Sequence, residues 1–182
     1  MNRAPDETSQ ALLDAAHRLL ATEGPDALTV RRIATEAGMS TMNVYSRFGG
    51  KDGVIEELYA DGFERLIAAV EAVPETSDPL DDLVSIAMEY RRFALENPRY
   101  YDIMFVKWPR ERRMERTGLQ GLMSFTERLN RATAAGNVIL GDGLDVQTAA
   151  IWFWSSCHGM VNLELNQKAD DRIDWQQVYT DS

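Results

Sequence analysis

The chain has 182 residues, 45% of them hydrophobic and 26% charged, which suits one large domain or a small one joined to a medium one, with ample material for a core. Its formal net charge of -10 argues against a generic polyanion binder, whether the polyanion is nucleic acid or an anionic lipid surface. The first twenty residues hold no unbroken apolar stretch of the kind a secretory signal needs, and no later window approaches eighteen uninterrupted apolar residues. The chain therefore reads as soluble, not exported, cytoplasmic and without a membrane partner.

Helical periodicity dominates and strand-like alternation is hardly visible. A first helix is expected from Ser9 to about Glu23, with Leu12, Leu13, Ala16, Leu19 and Leu20 as its apolar stripe and Gly24-Pro25 as its stop. Thr29 is a good N-cap for a short helix through Ala37; a turn at Gly38 leads to another from about Ser40 to Phe48, which Gly49-Gly50 breaks. Lys51 to about Val73 reads as a long helix, burying Val54, Ile55, Leu58, Phe63, Leu66, Ile67 and Val70. Asp78-Pro79 opens a helix that stops at Asn97-Pro98, where a short aromatic helix begins. Helices from about Thr117 to Ala135 and Asp145 to Lys168 follow, with one more helical turn around Trp175. The expected fold is all-α: a three-helix helix-turn-helix unit at residues 1–50 and an antiparallel helical bundle at 51–182, joined through the helix at 51–73.

The charge is unevenly spread. Between residues 29 and 51 the cations Arg31, Arg32, Arg47 and Lys51 face only one acid, Glu36. Two short helices joined by a glycine turn fit a helix-turn-helix whose second member enters the major groove of DNA. Ile33 and Ala34 turn inward on the first, and Val44 and Phe48, four apart, turn inward on the second. Arg31, Thr41, Met42, Asn43, Ser46 and Arg47 are then the candidate base readers: Asn pairs bidentately with adenine, Arg with guanine, and Thr and Met touch a thymine methyl. Thr29, Ser40, Tyr45 and Lys51 are the candidate phosphate contacts. A small structural hairpin with a polar outer face is the bland alternative. A nucleotide-binding loop around Lys51 fails, because Tyr45 stands where that motif needs glycine and Asp52 where it needs Ser or Thr.

The stretch LTVRRIATEAGMSTMNVYSRFGGKDGVIEELY resembles the DNA-binding region of the tetracycline-repressor (TetR) family. The resemblance lies at Thr29, Ile33, Ala34, Ala37, Gly38, Met39, Ser40, Tyr45, Phe48 and Lys51. It implies a homodimer on a palindromic double-stranded operator, usually a repressor released by a small-molecule effector. The segments Trp154–Leu165 and Asn97–Phe105 are similar to one C-terminal class of that family, marked by Trp-His-Gly. One departure stands out: Asp52-Gly53 follows Lys51 where good helix formers are usual, which predicts a softer junction.

In the bundle, the helix from Asp145 is apolar nearly all round, so a second subunit is expected to cover the side its own domain leaves bare, through Trp152, Ser156, Gly159 and Leu163. Phe63, Tyr90, Phe93, Tyr101, Phe105, Trp108, Phe125 and Trp154 are candidates for an apolar effector pocket, although most such rings in a small bundle are core. The basic run of Lys107, Arg110, Arg112, Arg113 and Arg116 reads as a solvated loop or an entry for an anionic effector. A structural zinc site lacks ligands, since His17, His158 and Cys157 are the only histidines and cysteine, and no cofactor is expected. Cys157 and His158 are neighbours on a helix and diverge by about 100 degrees, so they make a poor thiol-base pair; His158 reads as a structural, hydrogen-bonded residue. No acid-base or nucleophile set is visible, and the chain is not expected to be an enzyme. The competing class is a helical small-molecule-binding protein or enzyme whose helix-turn-helix is vestigial.

Overall fold

The computed structural model describes residues 6–106, 114–166 and 173–181, and among these all regular structure is helical. In chain order the α-helices are α1 (Glu7–Glu23), α2 (Val30–Glu36), α3 (Thr41–Phe48), α4 (Lys51–Glu71), α5 (Pro79–Glu96), α6 (Pro98–Tyr101), α7 (Met114–Ala134), α8 (Val146–Asn166) and α9 (Trp175–Asp181). Two short elements were not legible beforehand: a 3-10 turn at Pro25–Ala27, and a π-helical turn at Asp102–Val106 that continues α6. The chain divides into two compact units, one of residues up to Phe63 with those from Asn97, the other of Glu64–Glu96 with those from Met114. This division runs through α4, whereas the sequence places the boundary before it.

In the first unit α1 begins where Asp6 accepts a hydrogen bond from the Ser9 backbone at 2.8 Å. It buries Leu12, Ala15, Ala16, Leu19 and Leu20, the stripe its 3.6-residue period dictates. Ile33 and Ala34 of α2 and Val44 of α3 are likewise buried, and α1, α2 and α3 pack on one another. Val54, Ile55 and Leu58 seat the first half of α4; truncating a buried leucine such as Leu58 to alanine costs about 2–5 kcal/mol. His17 of α1 hydrogen-bonds Tyr100 of α6 and lies 3.8 Å from Asp61 of α4, so one polar cluster ties three elements.

The second unit is built on α5, α7 and α8, which pack pairwise, with α9 against α5. Leu83, Ile86, Ala87, Tyr90, Phe93 and Ala94 of α5 are buried, as are Phe125, Leu129 and Ala132 of α7. The turn after α4 is clamped by charge. Asp82, 1% exposed, accepts from the Thr76 backbone at 2.9 Å, from its hydroxyl at 2.8 Å and from Arg131 at 2.7 Å. Arg128 donates to the Val73 carbonyl at 2.5 Å. Between α5 and α8, Arg91 pairs with Glu164 through bonds of 2.5 and 2.8 Å, and its guanidinium lies 5.4 Å from the ring centre of Tyr179 on α9. No described helix is long and apolar enough to cross a membrane.

Candidate nucleic-acid interface

The helix-turn-helix is α2, the turn at Gly38 and α3. Thr29 caps α2 by accepting from the Arg32 backbone at 3.3 Å, and its hydroxyl still has a proton to donate. Gly38 adopts φ 67°, a left-handed conformation that costs most L-residues steric strain, so glycine makes the turn. Ser40 is the N-cap residue of α3, though its side chain makes no capping bond; instead its oxygen accepts from the Asn43 amide at 3.2 Å. Val44 is fully buried and Phe48 half-buried, and this pair sets the rotation of α3. The opposite face is therefore presented to solvent.

Of the predicted readers, Thr41, Met42 and Ser46 are exposed on α3, whereas Arg47 turns to Asp6. Met42 is 70% exposed and Tyr45 55%, large surfaces for side chains with an apolar body. Thr41 and Ser46 are exposed, Asn43 is half-buried, and Arg31 is exposed at the start of α2. Ser46 also donates to the Asn43 carbonyl at 3.2 Å. Lys51 is half-buried at the first residue of α4, next to Gly50.

The charges around this face are sorted by ion pairs that the sequence did not disclose. Arg32 forks onto Glu23 of α1 at 2.5 and 2.6 Å; this bond raises the arginine's affinity for its proton and lowers the glutamate's. The single acid of the window, Glu36, is held by Arg18 at 2.9 Å. Arg32 thus braces α2 on α1, and Glu36 at the end of α2 is paired with Arg18 of α1. Arg47 lies 3.2 Å from Asp6, a carboxylate outside the window altogether.

Gly53 has a role that the departure from the family pattern left unexplained. A Cβ there would fall 1.8 Å from the carbonyl oxygen of Phe48 and 2.8 Å from its carbonyl carbon. The end of α3 is packed onto the first turn of α4 too closely for any side chain. The junction expected to be soft is a tight backbone contact.

The aromatic pocket candidates fall into two groups, each within its own unit. Phe63, Tyr101 and Phe105 form a ring cluster in the first, with centroid distances of 5.3 Å for Phe63–Phe105 and 4.7 Å for Tyr101–Phe105. Tyr90 and Phe125 meet edge-on at 6.2 Å in the second, where Phe93 is also buried and Trp154 stacks on His158 at 5.8 Å. Trp108 lies outside the described residues, as do Lys107, Arg110, Arg112 and Arg113. A cleft of about 520 Å³ in the second unit is lined by other residues, among them Val84, Met88, Leu95, Arg91 and Arg92. His158 is hydrogen-bonded within the bundle, its Nδ1 3.1 Å from the Tyr90 hydroxyl. Burial pushes the Cys157 thiol up to about 12.

On α8, Ala149, Ala150, Cys157 and Val161 are buried, while Trp152 is 61% and Leu163 54% exposed. Ser156 and Gly159 are exposed between them, and a Cβ on Gly159 would meet nothing. All four residues of the expected subunit face share one bare side of the helix.

Residues 12–58 match the family model of bacterial regulatory proteins of the tetR family, and residues 83–180 match that of the tetracyclin repressor-like C-terminal domain. An uncharacterized HTH-type transcriptional regulator of Mycobacterium tuberculosis is 27% identical over 177 residues, covering 94% of this chain and 76% of that protein. The HTH-type transcriptional repressor KstR2 of Mycolicibacterium smegmatis is 33% identical over 92 residues, 47% of this chain and 45% of that one. The crystal structure of FadR from Bacillus subtilis in complex with stearoyl-CoA shares the fold at a TM-score of 0.72, with 17% identity and 94% of each chain covered. The chain belongs to the tetR family of bacterial regulatory proteins. It is a DNA-binding transcriptional regulator.

Proposed function

We propose that the protein is a homodimeric repressor that occupies a palindromic operator and leaves it when a small molecule binds the bundle. One observation carries the DNA part: burial of Val44 and Phe48 aims Thr41, Met42, Ser46 and Tyr45 outward from α3, while Glu36, the one acid of the 29–51 window, is paired with Arg18. Arg31, Thr41, Met42, Asn43, Ser46 and Arg47 read bases, and Thr29, Ser40, Tyr45 and Lys51 hold phosphates. Residues 1–50 form the DNA-binding domain and 51–182 the ligand and dimer domain, with α4 connecting them.

The dimer reading is supported by the bare side of α8. Trp152, Ile151 and Leu163 expose apolar surface around Ser156 and Gly159, a face on which a second helix can approach closely. Two copies of α3 would then enter successive major grooves about 34–36 Å apart.

For the effector, the second-unit cleft sets Val84, Met88 and Leu95 beside Arg91, held by Glu164, and Arg92, held by Glu89 and Glu96 of the same lining, so it suits an apolar chain and takes an anionic head only by exchange with one of those carboxylates. A long-chain acyl thioester is the class to test first, and the Bacillus subtilis FadR complex points the same way. Such a ligand acts by preferring one shape of the bundle, and it shifts DNA affinity only by its differential affinity for the two shapes. We read it as bound and not transformed, in keeping with the regulators that the chain resembles.

The test is fluorescence anisotropy on a labelled operator duplex titrated with acyl-CoA thioesters of increasing chain length. Release that grows with chain length supports the reading. Undiminished DNA binding at saturating levels of every thioester contradicts the effector class.

A further inference from the structure

Arg47 is not idle on the surface of α3. Its Nη2 lies 3.2 Å from Oδ2 of Asp6, and its side chain keeps only 28% of its exposure. Oδ1 of the same carboxylate accepts the Ser9 N–H that starts α1. The two oxygens therefore have separate tasks: one caps α1, and the other holds an arginine of the recognition helix. Because the cap pins Oδ1, and α1 and α3 pack on each other, Oδ2 is aimed at Arg47 by the fold. The Ser9 hydrogen bonds foremost, with Arg47 adding to them, keep this carboxyl below its ordinary value, so it is ionised wherever DNA binding is measured.

A guanidinium cannot deprotonate, and its five donors form one planar fork. Donors turned toward Asp6 are not turned toward DNA. We propose that Asp6 is an intramolecular latch on Arg47, a carboxylate that stands in for DNA while the site is empty and must be displaced before Arg47 reaches the operator. The proposal rests on the reading of Arg47 as a DNA contact.

The magnitudes make such a latch selective. An exposed ion pair is worth about two- to fivefold in an equilibrium, whereas a bidentate arginine-guanine contact discriminates by roughly five- to a hundredfold. A matched guanine overcomes the latch easily. A lone phosphate at random sequence has little to spare, and there Arg47 stays on Asp6.

The experiment uses the full chain carrying Asp6→Asn, which keeps an oxygen to cap α1 and removes the charge, with Asp6→Ser as a second uncharged cap. Both are assayed on an operator duplex selected from random DNA, at low ionic strength, alone and combined with Arg47→Ala. Each single variant is expected to bind about two- to fivefold tighter than the parent, and to change nothing once Arg47 is alanine. Unchanged or weaker binding by both variants overturns the latch. Equal tightening in the Arg47→Ala background also overturns it, since that marks a bulk charge effect. If Arg47→Ala itself leaves affinity and sequence preference intact, the Arg47 reading fails and the latch with it. If Arg47→Ala weakens the operator complex and Asp6→Asn does not tighten it, only the latch fails.

Discussion

The hydroxyl of Tyr90 on α5 lies 3.1 Å from Nδ1 of His158 on α8, a polar bond in the second unit with Tyr90 only 1% exposed. Buried polar groups that lose a partner retain the cost of their desolvation. Tyr90→Phe, which keeps the ring against Phe125, is expected to lower unfolding free energy by about 1 kcal/mol in urea titrations. An unchanged midpoint would mean that this bond adds no net stability.

Gly53→Ala should be far more damaging than a helix-propensity scale suggests. Alanine is the better helix former by roughly 1 kcal/mol, yet its Cβ would sit 1.8 Å from the Phe48 carbonyl oxygen, a backbone atom that cannot rotate away. The variant is expected to lose roughly 1–3 kcal/mol of stability, and to lose operator affinity as α3 is pushed off its seat. A gain in melting temperature would refute the tight-junction account.

Arg47→Ala and Lys51→Ala separate base reading from phosphate contact. The first should cost about 1–3 kcal/mol on the operator and relax preference at one base pair. The second should weaken all sequences alike and lower the slope of log affinity against log salt by about one. Equal losses on operator and random duplex for Arg47→Ala would remove it from the reading set.

Trp152→Arg tests the bare side of α8. Trp152 is 61% exposed, so the substitution should leave folding of the chain intact while placing two like charges across a symmetric contact. Sedimentation should then show a dimer for the parent and a monomer for the variant. A parent that sediments as a monomer at micromolar concentration would contradict the assignment.

Acid should loosen the turn between α4 and α5. Burial alone would raise the Asp82 carboxyl, but the Thr76 donors and Arg131 outweigh it and hold the group below its ordinary 3.8. A folded value below the unfolded one means stability that is present above the unfolded value and lost as pH falls through the folded one. The urea midpoint of the parent should therefore drop more steeply between about pH 5 and pH 3 than that of Asp82→Asn. Parallel curves would show that Asp82 makes no such contribution.

Much of the fold was legible because helical period and caps are local signals. Thr29, Gly38, Asp78-Pro79 and Asn97-Pro98 mark real helix ends, and the burial of Val54, Ile55, Leu58, Phe63, Leu66 and Val70 follows from spacing alone, although Leu13 and Ile67, expected on the same stripes, are only half-buried. The solvent side of α3 was readable for the same reason: once Val44 and Phe48 are placed inward, Met42, Tyr45 and Ser46 face solvent, whereas Arg47 turns aside to Asp6. What stayed hidden depends on partners distant in sequence. Nothing near Arg47 announces Asp6, nothing near Glu36 announces Arg18, and Gly53 looked like a weak helix residue until the Phe48 carbonyl was found against it. The aromatic residues were the least informative, since ring content alone does not assign Phe63 and Tyr90 to different units.

The central claim is that two copies of α3 read a symmetric operator. Selection of bound fragments from random double-stranded DNA by the full-length protein tests it most directly. The account predicts an enriched palindrome whose half-sites lie about one helical turn apart, or a multiple of it. Recovery of fragments with no shared motif, or of a single unrepeated half-site, would contradict it.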